Sequence, residues 1–473
     1  MRGLVWFRRD LRVQDQPALT AALAECDEVI PLFVFDEPLL RSGPFGSACV
    51  NFMLRCLDDL GRSLAALGIP LQWRRGEPVE EVLRMARDSG VEAVYWNRDY
   101  EPAARTRDDA VRHALVQQGI AVHSFKDHVI FEAGEIASAA GQPMQRYGAY
   151  RKRWWAQWRT SAPRVLTAPR PASQRATGVE TWRELPGAAD LGYEQMTPTI
   201  PGGEREARTR LKWFLKGPLG VYATGRNLPA LDETSMLSPY FRFGALSTRS
   251  AAHAALATFA QQDQAWRAGA QTWVDELIWR DFFQQILASF PHVATNPFRP
   301  TAVPPHRTDR RLYEAWSGGR TGFPLVDAGM RQLNETGWMH NRVRMVVASF
   351  LVKDLRLDWR LGERYFMERL LDADQAANNG NWQWCASTGT DAMPSYRIFN
   401  PALQAKKFDP TGDYIRRFVP ELASVPAKYI HAPETMGIDE QSRYACRLGQ
   451  DYPLPIVDHK QARVRYLSEK PAW

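Results

Sequence analysis

The sequence is poor in everything that marks a metalloprotein, a membrane protein or a disulfide-stapled secreted domain. Its five cysteines, Cys26, Cys49, Cys56, Cys385 and Cys446, are odd in number and scattered, with no Cys-x-x-Cys pair. They read as reduced thiols in a cytoplasmic protein rather than as a disulfide framework or zinc site. The nine histidines show no metal spacing either, so no metal is expected. Nowhere do about 18 apolar residues run without a charge, which argues against a membrane span. The opening MRGLVWFRRDLR is broken by arginines and lacks the apolar region and cleavage site of a signal peptide, so export is not expected. No Gly-x-Gly-x-x-Gly follows the first apolar run, leaving a Rossmann-type dinucleotide fingerprint unsupported. Internal repeats and low-complexity tracts are absent.

What is present is an ordinary globular composition, 45% hydrophobic and 24% charged, in a chain long enough for two domains. The net charge of +7 suits a polyanionic partner. Seventeen tryptophans exceed ordinary core filling. Over residues 1–130, strand candidates Leu4–Phe7, Val29–Phe35, Leu71–Trp73, Ala93–Trp96 and Ile120–Phe125 alternate with helical patterns such as Ala48–Leu67 and Val79–Asp88. That alternation predicts an α/β domain with a doubly wound, Rossmann-like parallel sheet, whose ligands bind at strand carboxyl ends. Residues 131–204 carry Pro163, Pro169, Pro171, Pro186, Pro198 and Pro201 with little periodicity and read as an irregular interdomain connector. Residues 205–473 read as an all-α domain, with helical spacing over Glu204–Leu215, Thr248–Phe259, Ala265–Phe290, Pro324–Glu335, Asn341–Lys353 and Gly362–Ala373.

Three clusters could carry chemistry. The hydroxyls of Thr234-Ser235-Met236-Leu237-Ser238 fit either a helix cap or a phosphate cradle, and spacing does not decide between them. In Trp273-Val274-Asp275-Glu276-Leu277-Ile278-Trp279-Arg280, helical spacing puts Glu276, Trp279 and Arg280 on one face. They either line a pocket or make a surface salt bridge beside a core indole. The third cluster runs from Gly337 through His340, Asn341, Arg342, Arg344 and Met345 to Trp359, then Asp372 to Trp384. The Asp- and Asn-rich part of it is poor helix and poor core, and a ligand that satisfies its amides is the simplest explanation. His340 by itself reads as a packed histidine.

WFRRDLRVQDQPAL, TSMLSPYFRFG, ELIWRDFF, TGFPLVDAGMRQLNETGWMHNRVRMVVASFLVKDL and DADQAANNGNWQWCASTGTDAMPSYRIFNP together resemble the photolyase/cryptochrome family from residue 1 to about 430. The resemblance implies an N-terminal antenna-chromophore domain and a helical FAD domain. It puts Tyr222, Thr234, Ser235, Met236, Leu237 and Ser238 at the FAD pyrophosphate, and Trp273, Arg280, Arg344, Asp372, Asp374 and Asn378 around the rest of the cofactor, Asn378 facing the flavin N5. It also implies light-driven repair of cyclobutane pyrimidine dimers in UV-damaged DNA, as in class I enzymes acting as monomers. The dimer would flip out of the duplex between Trp279 and Trp384, with Glu276, Asn341 and Met345 beside it. Arg226, Arg342, Arg397, Gln404 and Lys407 would grip phosphates.

The same fold serves (6-4) photoproduct repair and cryptochrome signalling. The (6-4) enzymes carry a histidine pair where this chain has Asn341 and Met345, and signalling members usually lose part of the lesion pocket and add a long tail. A non-catalytic DNA-binding module would account for the charge and the tryptophans but not for the FAD residues. Two departures stand out. The family's electron relay starts with Trp382 and Trp359, but His306 stands at its third tryptophan, so photoreduction is weak or ends on another aromatic such as Tyr313 or Trp316. Ala103 and Ala104 replace the Asn-Glu pair of folate-binding members, which leans the antenna toward 8-hydroxy-5-deazaflavin over methenyltetrahydrofolate, or toward an empty site. Ser395, where an aromatic is common, is a third and smaller departure.

Overall fold

The computed structural model describes residues 1–169, 184–258, 263–300 and 306–469. Pro171 and part of the connector, Phe259 of the expected helix Thr248–Phe259, and Trp473 lie outside them. The apolar runs of the first 125 residues form five parallel strands: β1 (Arg2–Phe7), β2 (Glu28–Asp36), β3 (Gln72–Gly76), β4 (Ala93–Asn97) and β5 (Ala121–Phe125). Their order is β3-β2-β1-β4-β5. Leu4 pairs with Ile30 on one side and Val94 on the other. The central strand therefore has no free edge, and its run Leu4–Phe7 is wholly buried. Trp6 and Trp96 meet edge to face at 5.7 Å in a core shared with Val82, Met85 and Leu115 from the covering helices Pro78–Asp88 and Pro102–Gln117.

From Glu204 onward the described residues form helices and turns, with one isolated bridge between Leu448 and Tyr452 as the sole strand-like pairing. The chain divides into two compact units. The first comprises Met1–Gly220, Ser235–Ala294 and Leu371–Ala376, and the second Val221–Thr234, Thr295–Leu370 and Ala377–Trp473. No helix among the described residues is long and apolar enough to cross a membrane, and no group of three metal-ligating side chains occurs among them.

Three expectations need correction. The connector contains a helix, Tyr147–Ser161. It buries only Tyr150 and Trp154, so its apolar stripe is too narrow to register as a period among so many charges. Asn341–Lys353 is not one α-helix: the regular turns stop at Ser349 and a π-turn follows over Phe350–Asp354. The Asn-rich run is a helix after all, Gln375–Ala386. Its amides find protein partners: Asn379 Nδ2 donates to Glu363 Oε1 at 2.8 Å, Asn378 Nδ2 to Glu363 O at 2.9 Å, Asn381 Nδ2 to Ala377 O, and Gln383 Nε2 to Asn379 Oδ1. A ligand is not needed to satisfy those donors. In the neighbouring helix, Trp359–Arg369, Gly362 lets the Trp382 ring lie against the backbone, since a Cβ there would fall 2.1 Å from the indole.

Candidate active site

In the first unit, β1 ends in Arg8-Arg9-Asp10 and β4 in Asn97, followed by Asp99. These are the two strands at which the sheet order reverses, the usual place for a ligand site in such a sheet. Asn97 Nδ2 donates to Asp10 Oδ2 at 2.7 Å, joining the two ends. Arg9 donates to Glu101 Oε1 and Asp374 Oδ2, both at 2.5 Å, and lies 2.9 Å from His128 Nε2. Arg280 donates to His128 O at 2.5 Å and lies against the same imidazole. Gln284 Nε2 donates to both Asp374 oxygens at 3.1 Å. Arg280 and Asp374, foreseen as cofactor residues, are thus held in one buried network with Arg9, His128 and Gln284, which the sequence reading missed.

Burial works to raise the Asp374 pKa, but Arg9, the His128 hydrogen bond and Arg280 hold it well below the usual carboxylate range. Burial, with Arg280 and Arg9 alongside, pushes the His128 pKa down to about 3, so the ring is neutral at neutral pH. On the helix that carries Arg280, Gln264–Ser289, Trp273 is buried against Phe214 and Trp279 stacks flat on Tyr147, centroids 3.5 Å apart at 7°. Glu276 and Trp279 are half-buried, as is Asp372 in the short segment that carries Asp374.

The helix Ser238–Arg242 starts with Leu237 at its N-cap and has no side-chain cap, so the cap reading of these hydroxyls is not realised. Ser235 and Ser238 hydroxyls make no hydrogen bond among the described residues, although Ser235 O accepts from Arg210 Nε at 3.0 Å. Met236 adopts φ 50°, a left-handed conformation uncommon for a non-glycine residue and often found where a loop holds a ligand.

In the second unit, Arg226 lies 5.7 Å from the buried Tyr222 ring, a short stretch of chain before Thr234. His340 Nδ1 caps the helix Asn341–Ser349 by accepting from Arg342 N. Burial, then Arg342, Arg344 and Arg226, push the His340 pKa down to about 3. It is the packed, neutral histidine expected. Arg342 donates to Asn227 Oδ1 at 2.5 Å and covers Phe408 at 4.5 Å, while Arg344 Nε donates to Met339 O at 2.8 Å. Asn341 is exposed and Met345 half-buried. Trp359 and Trp382 are buried and Trp384 half-buried. Because Glu363 O accepts from Asn378 Nδ2, the free atom of that amide is Oδ1, an acceptor. Arg397 and Lys407 are exposed and Gln404 is half-buried; Tyr396 and Leu403, next to Arg397 and Gln404 in the chain, are exposed. Ser395 is buried.

A cavity of about 370 Å³ adjoins the Arg9–Asp374 network within the first unit at the strand carboxyl ends, lined by Arg9 and Glu101 of that network and by Phe35, Ala103, Ala104 and Arg242 among others. Arg242 is buried, and its Nε and Nη1 make no hydrogen bond among the described residues, with Glu101 3.8 Å from Nη1.

Comparison with known proteins decides the family. The family model for DNA photolyase matches residues 3–172, and that for the FAD binding domain of DNA photolyase matches residues 273–470. A deoxyribodipyrimidine photo-lyase of Synechococcus is 41% identical over 481 residues, covering 99% of this chain and 97% of its own. The chain belongs to the DNA photolyase family. Among solved structures, a class III photolyase from Agrobacterium tumefaciens superposes with a TM-score of 0.91 at 36% identity, covering 99% of this chain and 96% of its own. An archaeal photolyase from Sulfolobus tokodaii, solved with two FAD molecules, gives 0.81 at 34% identity, covering 99% of each.

Each unit of this photolyase holds free polar groups of a kind that FAD can use. The Ser235 and Ser238 hydroxyls and the uncapped helix start suit a pyrophosphate, Asn378 Oδ1 suits a ring N–H, and buried Gln284 Oε1 has no partner among the described residues.

The network makes a pH prediction. Unfolded, His128 takes up a proton below its ordinary 6.5, whereas folded it does not until about 3. Its contribution to stability is therefore complete above pH 6.5 and is lost as pH falls. Asp281, pushed up to about 6 by burial, works in the opposite sense. Comparing wild type with His128→Gln isolates the histidine: the variant's acid limb below pH 6.5 should be shallower by as much as about 1.4 kcal/mol per pH unit. Urea unfolding over that range is the measurement, and parallel limbs would show that His128 is not held neutral.

Proposed function

We propose that this photolyase splits cyclobutane pyrimidine dimers in DNA, using light and FAD. The observation that supports this most is the helix Gln264–Ser289. It carries half-buried Glu276, one turn before Arg280 of the buried network, and half-buried Trp279, its indole braced by Tyr147. A braced flat ring beside a carboxyl group suits an extruded, covalently linked base pair, whose poor stacking makes extrusion cost only about a few kcal/mol. When bound, the reduced flavin supplies the electron that opens the dimer. The protein's own groups bind and orient. Ser235 and Ser238, with Tyr222, Thr234, Met236 and Leu237, hold the pyrophosphate. Trp273, Arg280 and Asp374 support the cofactor, and Asn378 Oδ1 accepts from the ring. Arg344 and Asp372 would each serve the isoalloxazine and favour its anionic form. Trp279 and Trp384 would stack on the dimer, Glu276 would hydrogen-bond it, and Asn341 and Met345 would line its pocket.

The choice of cyclobutane over (6-4) lesions is supported by Asn341 and Met345, which stand where the (6-4) enzymes carry a histidine pair, while the adjacent His340 is buried as a helix cap. Arg226, Arg342, Arg397, Gln404 and Lys407 grip phosphates around the lesion. The cavity in the first unit takes a flat antenna chromophore, with 8-hydroxy-5-deazaflavin the better fit. Its acidic hydroxyl offers the acceptor that Arg242 lacks, and Ala103 and Ala104 lack the polar groups that a folate would use.

Glu276→Ala should keep FAD bound while repair yield falls by an amount worth roughly 1.5 to 3 kcal/mol, the usual value of a charge-assisted hydrogen bond. Unchanged yield removes Glu276 from the lesion site. Arg342→Ala should weaken binding to dimer-containing DNA and flatten its dependence on salt by about one unit of log–log slope. A slope equal to wild type means that Arg342 touches no phosphate. Reconstitution should give one 8-hydroxy-5-deazaflavin per chain, with affinity lost in Arg242→Met. Preference for methenyltetrahydrofolate or for a second flavin contradicts that assignment.

A further inference from the structure

Trp382 lies in the helix Gln375–Ala386 and is almost fully buried. Its ring meets two others: Phe366, with centroids 5.1 Å apart, and Trp316, at 6.2 Å and 73°. Trp316 is fully buried in the helix Arg310–Ser317 and donates its Nε1–H to Val347 O at 3.0 Å. Against Trp316 lie Tyr365 at 5.7 Å and Tyr313 at 6.1 Å, themselves 6.3 Å apart. Tyr313 reaches the surface in part.

The other way out of Trp382 is poorer. Trp359 is 3% exposed and has no ring contact among the described residues. His306, at the family's third relay position, lies 3.8 Å from Asp358, and an imidazole is a much weaker one-electron donor than an indole or a phenol. A positive hole on Trp359 would be stranded on a buried ring. Electron tunnelling falls off exponentially with the gap between ring edges, so rings in contact outrun rings that are not. Hydrogen bonding picks the same branch and its end. The bond from Trp316 Nε1–H to a carbonyl strengthens when the indole becomes a cation, because the donor is then charged. The Tyr365 phenol is committed to Asn334 Oδ1 at 2.6 Å and Ser317 O at 3.1 Å, inside the protein. Tyr313 makes no phenolic hydrogen bond among the described residues and can release its proton to water.

We propose that Trp316 and Tyr313 form the outward electron relay of this photolyase, replacing the route through Trp359 and residue 306. The proposal rests on the reading that FAD binds beside Trp382. Trp382 gives one electron to the photoexcited oxidised flavin and becomes an indole radical cation. Trp316 gives one electron to Trp382. Tyr313 gives one electron to Trp316 and its phenolic proton to water, leaving a neutral tyrosyl radical. A thiol in solution returns one electron and one proton to that radical and is itself oxidised by one electron.

The test compares wild type with Trp382→Phe, Trp316→Phe, Tyr313→Phe and Trp359→Phe as FAD-loaded proteins. All are illuminated with blue light with and without dithiothreitol, after flavin content and melting temperature have been checked. Without thiol, freeze-trapped spin resonance should show a tyrosyl radical in wild type that is absent in Tyr313→Phe and Trp316→Phe. With thiol, bleaching of the flavin band should slow at least several-fold in both variants and largely persist in Trp359→Phe. Tyr313 is partly exposed and loses only a hydroxyl, so that variant keeps the test valid if Trp316→Phe unfolds. Loss of photoreduction in Trp359→Phe, with Tyr313→Phe at the wild-type rate, overturns the relay. Undiminished photoreduction in Trp382→Phe, or a wild type that takes up no FAD, overturns the reading beneath it.

Discussion

The ion pair between Arg9 and Asp374 is the constraint on which the first compact unit depends. The two residues are 365 positions apart, yet their 2.5 Å contact ties the segment Leu371–Ala376 to the carboxyl end of β1. Glu101 and Asp99 share Arg9 from one side, and His128 and Gln284 share Asp374 from the other. A buried pair of this kind contributes little net stability compared with apolar residues of the same shape, but removing one partner typically costs about 3 to 5 kcal/mol because the survivor is left uncompensated. Its value is positional. The same set of contacts holds Arg280 and, through the backbone, the neighbouring Asp372, so residues assigned to the cofactor take their places from the sheet.

The parallel sheet was legible because Leu4–Phe7, Val29–Phe35 and Ala93–Trp96 are apolar without alternation, which is what strands covered on both faces require. The Gln264–Ser289 helix was legible from its spacing. The Tyr147–Ser161 helix was not, since two buried side chains in fifteen residues leave no period to read. The Gln375–Ala386 helix was misjudged for a different reason: its asparagines are unfavourable in an isolated helix, and the Glu363 groups that satisfy them come from another helix.

The candidate site divides in the same way. Motif resemblance supplied Glu276, Trp279 and the hydroxyl loop, whereas Arg9, His128 and Gln284 carried no local signal and became visible only when the fold brought them to Asp374. The place of Trp316 against Trp382 is equally a product of packing, as the two are 66 positions apart and share no motif.

The second unit exposes Arg397 and Lys407, and also Tyr396 and Leu403, cationic and apolar side chains of the kinds that phosphates and unstacked bases take. The account stands or falls on photochemistry with damaged DNA. An oligonucleotide bearing one cyclobutane thymine dimer, incubated with the reduced FAD-loaded protein under blue light, should regain two intact thymines, while an identical sample kept dark should bind the lesion without repairing it. Equal amounts of repair in light and dark, or none in either with FAD fully bound, would contradict it.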